Sequence, residues 1–211
     1  MSLDRHHRWD ISHPLWWQDD SGMAPLPFTQ ITAEAVIEGR WRTRRPADLA
    51  RSQEYLIALE RNGRYPHVIW PEHCLIGRWG GDIAAELLIA LDAWEVTRGA
   101  SVQYWGKGEN PWTEHFSVFV AEVPDSNDAH TQFNSRLASE LAAMDTVFVA
   151  GQALSHCVAN SVRDLVSAWG GDASRLVLLG DACSSVPGFE VYGERFVEEM
   201  SSKGMRVNEC A

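Results

Sequence analysis

The stretch TVFVAGQALSHCVANSVRDL, residues 146–165, constrains the fold more than any other part of the chain. It opens with a short β-branched and apolar run, which is typical of a strand buried on both faces. Gly151 can end that strand at little steric cost, Ser155 is placed to cap a helix, and apolar residues then recur at helical spacing. The pattern predicts a strand, a tight turn and a helix that carries Cys157 in its first turn.

Cys157 has two interpretations at this position. The backbone N–H groups and the positive dipole end of a helix favour the thiolate, which is the nucleophilic form of cysteine. A cysteine in such a place can equally be a small buried hydrophobe. The local pattern leaves both interpretations open.

Strand and helix patterns alternate along the chain, and this alternation indicates an α/β sheet with helices on its faces. The predicted strands lie at 68–70, 101–105, 146–150 and 175–179. Five helices are predicted: one that begins at Pro46, one at 82–96, one that includes 133–141, one that follows Ser155, and one at 191–200. We expect the chain after the last helix to be frayed. We therefore predict a doubly wound, mainly parallel sheet with helices on both faces. With 211 residues, 45% of them hydrophobic, the chain suits one core and a single domain over 1–211.

Composition excludes some classes of function. A formal net charge of −11 repels phosphate backbones and argues against a nucleic-acid partner. No apolar run reaches the ~18 residues of a membrane span. The four cysteines lie far apart and form no Cys-x-x-Cys pair, which favours a reduced, cytoplasmic setting.

Polar residues at the ends of the predicted strands suggest a metal site. In an extended segment the pair Asp4 and His6 points a carboxylate and an imidazole to the same side, and both are ligands for a divalent metal. His73 follows a predicted strand and the rigid turn at Pro71, which could aim it at that same metal. The alternative for His73 is an ordinary hydrogen-bonded histidine.

Lys107 and the tryptophans are open to two interpretations each. Lys107 stands between two glycines at the end of a predicted strand, where a tight turn could hold it near Cys157 and lower the pKa of the thiol. Most lysines are instead solvated surface charges. The cluster of Trp9, Trp16 and Trp17 suggests either an aromatic-walled pocket or plain core packing.

Taken together, these residues resemble the isochorismatase-like cysteine hydrolases, and within them the nicotinamidase branch, across nearly the whole chain. The resemblance rests on five motifs in order: Ser2-Leu3-Asp4-x-His6 with Ile11-Ser12-His13-Pro14; Trp70-Pro71-x-His73-Cys74 with Gly77; Lys107-Gly108 leading to Glu114-His115-Phe116-Ser117; Val149-Ala150-Gly151-x-Ala153 with His156-Cys157-Val158; and Asp181-Ala182. The ordered set is far more specific than any one motif.

The resemblance implies a catalytic role for one group of residues. Cys157 would be the nucleophile and Lys107 its charge partner, and the backbone N–H groups of Ala153 and Cys157 would form the oxyanion hole. A cis peptide bond between Gln152 and Ala153 is also expected. The implied reaction is the hydrolysis of nicotinamide to nicotinate and ammonia through a thioester.

A second group of residues would hold the metal and the substrate. Asp4, His6 and His73 match the metal ligands of nicotinamidases, with His13 as a fourth. Zinc is the default ion for such a site, and manganese or iron also tolerates these ligands. Trp16 or Trp70 would sandwich the substrate ring. The family also implies a homo-oligomer, a dimer or a tetramer.

One departure from the family accompanies these matches. Family members begin with a strand that ends in an aspartate, usually as Asp-x-Gln, and that carboxylate completes the catalytic triad. This chain starts at what resembles the end of the second strand, and Asp10, Asp19 and Asp20 lie in a different context. The resemblance therefore predicts a truncated chain, a start placed too late, or a strand supplied by a partner.

Two other functions remain open. A metal-free relative would hydrolyse another small amide or a vinyl ether, and the metal set Asp4, His6 and His73 argues against it. A non-catalytic assembly subunit would keep the family's shape without its chemistry.

Overall fold

A computed structural model describes residues 1–62 and 64–210 of the protein. The strands are β1 (Ser2–Asp4), β2 (Trp17–Gln18), β3 (Arg42–Thr43), β4 (Trp105–Lys107), β5 (Val147–Gln152), β6 (Leu176–Ser184) and β7 (Arg206–Asn208). The α-helices are α1 (Ala33–Ile37), α2 (Leu49–Asn62), α3 (Ala85–Arg98), α4 (Ser135–Ala142), α5 (Ala159–Ala168) and α6 (Glu190–Ser202). A single π-helical turn, Leu154–Val158, precedes α5.

The chain forms two compact units. The first unit contains residues 1–114 and 122–131, and the second contains 115–121 and the chain from 132 onward. In the first unit β1 pairs with β4 in parallel and β2 pairs with β3 in antiparallel fashion. In the second unit β5, β6 and β7 form a parallel sheet in that order. The predicted α/β class with mainly parallel pairing is confirmed, and the single domain over 1–211 stays a prediction.

Tryptophans from the N-terminal segment form much of the first unit's core. Trp16 and Trp17 are almost completely buried, and they pack with α1, α2 and Ile69. The indole N–H of Trp16 donates to the hydroxyl of Ser52 at 3.0 Å, and that of Trp17 donates to the carbonyl of Ile11 at 2.7 Å. Because both indoles are satisfied, large side chains can be buried here without a polar penalty.

The second unit has its core between β6, α5 and α6. The apolar stripe predicted for the helix after Cys157 is confirmed, because all four of its residues are buried: Val158, Val162, Leu165 and Val166. The frayed end predicted after α6 is wrong. Residues 206–208 form β7, which pairs in parallel with β6. All three residues of β7 are exposed, so backbone hydrogen bonds stabilise this strand rather than buried side chains. For that reason the sequence shows no hydrophobic pattern there.

Two predicted strands of the first unit are placed differently in the structure. Residues 68–70 do not form a strand: Val68 forms an isolated antiparallel bridge with Gln30, and all three residues are buried. The strand predicted at 101–105 lies at 105–107 in the structure, where it forms β4. Lys107 is the last residue of this strand. Apolar character predicted burial correctly in the first case but could not show whether a partner strand was available.

Helix α3 is the most exposed of the described helices. Its apolar stripe was the strongest in the sequence, yet none of its residues is buried. Leu87, Ile89 and Trp94 each leave more than two fifths of their surface in contact with solvent. None of the described helices is both long enough and apolar enough to cross a membrane.

Candidate active site

The structure brings Asp4, His6 and His73 together in the first unit, and we call these three residues the Asp-His cluster. Asp4 ends β1, and the N–H of His6 donates to the carbonyl of Cys74 at 2.9 Å. This backbone bond aligns the segment after β1 with the segment that carries His73. One ligand atom from each member of the cluster lies within 4.8 Å of the others.

The spacing in the Asp-His cluster fits a divalent ion. Oδ1 of Asp4 lies 3.1 Å from Nε2 of His6, and the rings of His6 and His73 have centroids 4.7 Å apart. An ion with ligand bonds of about 2.0–2.2 Å holds neighbouring ligand atoms roughly 3–3.5 Å apart. Nδ1 of His73 lies 2.9 Å from the carbonyl of Pro71, which engages that nitrogen and leaves Nε2 for an ion.

His13 lies beside the Asp-His cluster. Its ring centroid is 5.4 Å from that of His6 and 5.3 Å from that of His73. The residue is fully buried, and among the described residues neither of its ring nitrogens makes a well-formed hydrogen bond. A buried imidazole in this state is costly unless a further partner is bound. His13 therefore lies where an additional ligand would lie, and its ring nitrogens are available to bind an ion.

Opposite charges surround the carboxylate and one imidazole of the Asp-His cluster. The ammonium of Lys107, which is also buried, lies 2.9 Å from Oδ2 of Asp4. Burial would raise the pKa of Asp4, but Lys107 and His6 outweigh it and hold this pKa well below its usual range. Burial would likewise lower the pKa of His6, but hydrogen bonds to Asp10 and Asp4 raise it to about 10. The carboxylate is therefore ionised and ready to bind a cation.

The other two imidazoles are neutral at physiological pH. Burial, aided by the charge of His6, lowers the pKa of His73 to about 4. Burial also lowers the pKa of His13. Because neutral imidazole is the form that binds metals, His73 and His13 need no deprotonation before they can accept an ion.

Gly108 allows the chain to pass close to the Asp-His cluster. Its φ is +81°, and a Cβ at this position would lie 2.6 Å from Oδ1 of Asp4 and 3.1 Å from Cε1 of His6. Only glycine fits both the backbone conformation and the contact. The Lys107-Gly108 pair thus supplies a cation and the space beside it.

Cys157 lies in the second unit, where β5 turns into the helical segment. The Gln152–Ala153 peptide bond is cis, as the resemblance implied. The carbonyl of Ala153 accepts the N–H groups of His156 and Val158, both at 3.0 Å, which closes the turn. Cys157 itself is partly exposed, while the residues on both sides of it are buried.

The prediction that Ser155 caps this helix is wrong. Ser155 lies inside the π-helical turn, and its hydroxyl accepts the N–H of Val186 at 3.0 Å. The same hydroxyl lies 2.9 Å from Nδ1 of His156. Ser155 therefore fastens the turn to the loop after β6, a long-range role that the local sequence could not reveal.

His156, the neighbour of Cys157, has aromatic surroundings. The rings of Phe116, Phe189 and Tyr192 lie around it with centroid distances of 5.3, 5.2 and 5.9 Å. Burial lowers the pKa of His156 to about 4. The side chain next to the thiol is therefore neutral at physiological pH.

The two tryptophans proposed as substrate contacts have different surroundings. Trp16 is 1% exposed and belongs to the core. Trp70 is 8% exposed, and its indole N–H donates to Oε1 of Glu114 at 2.6 Å. Burial raises the pKa of Glu114 well above its usual value. Trp70 is thus held rigidly on the segment that leads to His73.

One residue of the first unit was missed in the sequence. Asp10 is fully buried, and its Oδ2 lies 3.3 Å from Nδ1 of His6. Its signal was faint: an aspartate four residues after His6, in an Asp-x-Ser turn that resembles any surface turn.

The structure is similar to those of solved nicotinamidases. It matches a nicotinamidase and pyrazinamidase from Acinetobacter baumanii with a TM-score of 0.61 and 20% identity, over 99% of this chain and 75% of that chain. It matches the yeast nicotinamidase bound to the inhibitor nicotinaldehyde with a TM-score of 0.60 and 18% identity, over 99% of this chain and 77% of that chain. No protein-family model matches the sequence, and no curated protein does. The chain thus has the fold of these nicotinamidases, and the expected fold is confirmed.

Proposed function

We propose that this chain is a metal-dependent cysteine amidohydrolase that converts nicotinamide and water to nicotinate and ammonia. The observation that carries the proposal is the Asp-His cluster, with His13 beside it, in a fold shared with nicotinamidases. The inhibitor in the yeast structure, nicotinaldehyde, differs from nicotinamide in having an aldehyde where the substrate has an amide. This supports a pyridine carboxamide as the substrate class.

The metal site would consist of Asp4, His6 and His73, with His13 as the fourth protein ligand. One carboxylate and up to three imidazoles suit zinc first, and manganese or iron also accepts such donors. An ion held there would act as a Lewis acid that binds the pyridine nitrogen of the substrate and orients its ring. The site would thus position the substrate more than it would break a bond.

Trp70 is our preferred wall for the substrate ring. Its indole is fixed by Glu114 and lies on the segment that leads to His73. Trp16 is buried among core side chains and leaves almost no surface for a ligand. The two original candidates therefore reduce to one.

Cys157 would carry the chemistry. Its thiolate attacks the amide carbonyl, and the oxyanion that forms is stabilised by the N–H groups of Ala153 and Cys157. The C–N bond breaks as the nitrogen gains the proton that the thiol gave up, and the nitrogen leaves as ammonia. Water then adds to the thioester, and cleavage of the C–S bond releases nicotinate and restores the thiol.

Lys107 would support this reaction through its charge. The ammonium is buried and paired with Asp4, so its position is fixed. A fixed cation stabilises negative charge that develops on a substrate more effectively than a solvated one. We therefore keep Lys107 as the charge partner proposed from the sequence.

Release of ammonia from nicotinamide tests the proposal. The protein is assayed with and without a chelator. We expect it to release ammonia, and we expect the chelator to abolish that release until zinc is added back. Acid quenching during turnover should trap a nicotinoyl adduct on the peptide that contains Cys157, detected by mass spectrometry.

Two results would overturn the proposal. The first is the absence of ammonia release from the folded protein loaded with metal, which would favour the assembly subunit. The second is hydrolysis that a chelator leaves unchanged, which would favour the metal-free relative.

The exposed side chains of α3 support the expected self-association into a dimer or tetramer. Large apolar groups left in solvent along a whole helix commonly mark a contact surface. Light scattering of the purified chain measures the number of subunits. A cytoplasmic location likewise stays a proposal, which rests on the pattern of cysteines.

A further inference from the structure

Asp10 is held by a rigid part of the first unit. Its carbonyl accepts the N–H of His13 at 3.0 Å, and the adjacent Ile11 is fully buried in the core. The carbonyl of Ile11 in turn accepts the indole N–H of Trp17 and lies 3.1 Å from Nε2 of His67. Asp10 therefore has little freedom to move relative to His6.

The two carboxylate oxygens of Asp10 have separate partners. Oδ1 accepts the N–H of Ser12 at 2.9 Å and its hydroxyl at 2.7 Å. Oδ2 lies 3.3 Å from Nδ1 of His6. The side chains of Asp10 and His6 are 1% and 6% exposed, so no bulk water competes for this contact.

A second Asp-x-Ser turn shows which of these contacts the turn itself requires. Oδ1 of Asp19 accepts the N–H of Ser21 at 2.9 Å and its hydroxyl at 2.7 Å, as Oδ1 of Asp10 does with Ser12. The turn at Asp19 lies at the surface, and Oδ1 also accepts the N–H of Met23 at 2.8 Å. At Asp10, as at Asp19, Oδ1 alone makes both bonds to the serine, and the contact from Oδ2 to His6 is an additional feature of Asp10.

We propose that Asp10 is a positioning residue for the metal site: its carboxylate holds the proton on Nδ1 of His6 and thereby keeps Nε2 available for a divalent ion. The two ring nitrogens of His6 face different carboxylates, since Nε2 lies 3.1 Å from Asp4 and Nδ1 lies 3.3 Å from Asp10. A carboxylate can only accept a hydrogen bond, so when an ion takes the place of the proton between Asp4 and Nε2, Asp10 keeps the remaining proton of His6 on Nδ1. The inference rests on the metal site of the proposed function and not on the hydrolysis itself.

Substitution by asparagine gives this idea a specific test. In Asp10→Asn the amide oxygen can still accept both bonds from Ser12, which leaves the amide N–H₂ facing Nδ1 of His6. Nδ1 of His6 must then accept a hydrogen bond from this amide, so the proton of a neutral His6 moves to Nε2. The change keeps the size of the side chain and the turn but favours the tautomer that cannot bind the ion.

Affinity for metal is the first measurement. Titration with Co²⁺, followed by its visible absorption, and competition between Zn²⁺ and a chelator are performed on the native chain, Asp10→Asn and Asp19→Asn. We expect Asp10→Asn to weaken binding of both ions about 10- to 100-fold. Asp19→Asn, which changes the same turn without a histidine, should bind within about twofold of the native chain. Equal affinity of folded Asp10→Asn and the native chain would overturn the inference.

The protonation of His6 in the native chain is the second measurement, and it needs no variant. Two-bond ¹H–¹⁵N correlation spectra of the Zn²⁺-loaded protein should show a protonated Nδ1 and a metal-bound Nε2 at His6. A metal bound through Nδ1, or an unprotonated Nδ1, would overturn the inference even if Asp10→Asn fails to fold. Both readouts are independent of ammonia release, so a chain that passes them but does not hydrolyse nicotinamide refutes the proposed function alone.

Discussion

Two buried histidines, one in each unit, have pKa values displaced in opposite directions. His6 has a carboxylate at each ring nitrogen, and these raise its pKa to about 10 against the effect of burial. His156 has a serine hydroxyl and three aromatic rings around it, and burial lowers its pKa to about 4. The same residue type, equally shielded from water, thus serves a charged site in one unit and a neutral site in the other.

The contrast shows what each unit provides for the proposed reaction. In the first unit Lys107 and His6 each form an ion pair with Asp4. A dication can therefore replace the proton of His6 that faces Asp4, and the carboxylate keeps a positive charge beside it. In the second unit the turn around Cys157 is held by neutral hydrogen bonds and aromatic packing. We therefore expect metal binding and thiol chemistry to respond to different substitutions.

Cys157→Ala should have the largest effect on hydrolysis. It also distinguishes most clearly between the contributions of the two units. Removal of the sulfur eliminates the thioester, so ammonia release should fall by at least about 1,000-fold. Because the Asp-His cluster lies in the other unit, affinity for Co²⁺ should be unchanged. Ammonia assays and metal titration on the same preparation measure both.

The matched control is Cys183→Ala, which removes another partly exposed cysteine of the second unit, on β6. It should retain the hydrolysis of the parent chain. Ammonia release that persists in Cys157→Ala would contradict the proposed nucleophile.

His156 should make stability depend on pH. Its pKa is about 4 in the folded chain and 6.5 ordinarily, so between these values the unfolded chain binds a proton that the folded chain does not. The free energy of unfolding should therefore fall as the pH drops from 6.5 to 4, with about 3 kcal/mol contributed by His156. Urea unfolding of the native chain and His156→Gln at several pH values measures the difference.

In that experiment His156→Gln should show a shallower loss of stability in acid than the native chain. The exposed His130 offers the control, and His130→Gln should follow the native curve. His67 is buried with a pKa lowered to about 4, so part of the dependence should remain in every variant. Identical curves for His156→Gln and the native chain would refute the contribution of His156.

Gly108→Ala should disturb the charged site of the first unit. The new Cβ would meet Asp4 at 2.6 Å, and the positive φ adds strain, so we expect a loss of about 2 kcal/mol in unfolding free energy and weaker metal binding. Gly22→Ala has nearly the same φ, +83°, with no atom within 4 Å of its Cβ. It should lose about 1 kcal/mol and bind metal normally. Equal metal affinity in both variants would contradict the close contact at Asp4.

Trp70→Phe should have the smallest effect. It keeps an aromatic ring but removes the indole N–H that donates to Glu114 at 2.6 Å, which we expect to cost about 1 kcal/mol of stability. If Trp70 lines the substrate site, KM for nicotinamide should rise while metal affinity stays constant. Trp16→Phe is the comparison, because it loses the bond to Ser52 in the core and should leave KM unchanged. A change in KM with Trp16→Phe alone would reverse our choice of tryptophan.

The sequence predicted best those features that depend on short-range pattern. A strand and a helix flank Cys157 as the apolar pattern indicated, and the Asp-x-His spacing predicted that Asp4 and His6 face one site. The prediction that this strand is buried on both faces and ends at Gly151 is wrong, because no residue of β5 is buried and Gly151 pairs with β6. The sequence failed where a distant partner decides the outcome. Strand β7 forms because the edge of β6 is free to pair with it. Ser155 does not cap a helix because its hydroxyl instead accepts the N–H of Val186.

By itself, the sequence determined the α/β class, the position of Cys157 at a turn, and the ligand types of the candidate metal site. These depend on residue type and spacing, which the chain carries locally. Only the tertiary structure decided the electrostatic state of each group, because a pKa depends on burial and on charges that arrive from elsewhere in the chain. Asp10 acquires a role because folding directs its second oxygen to His6, whereas the same Asp-x-Ser turn at Asp19 faces water.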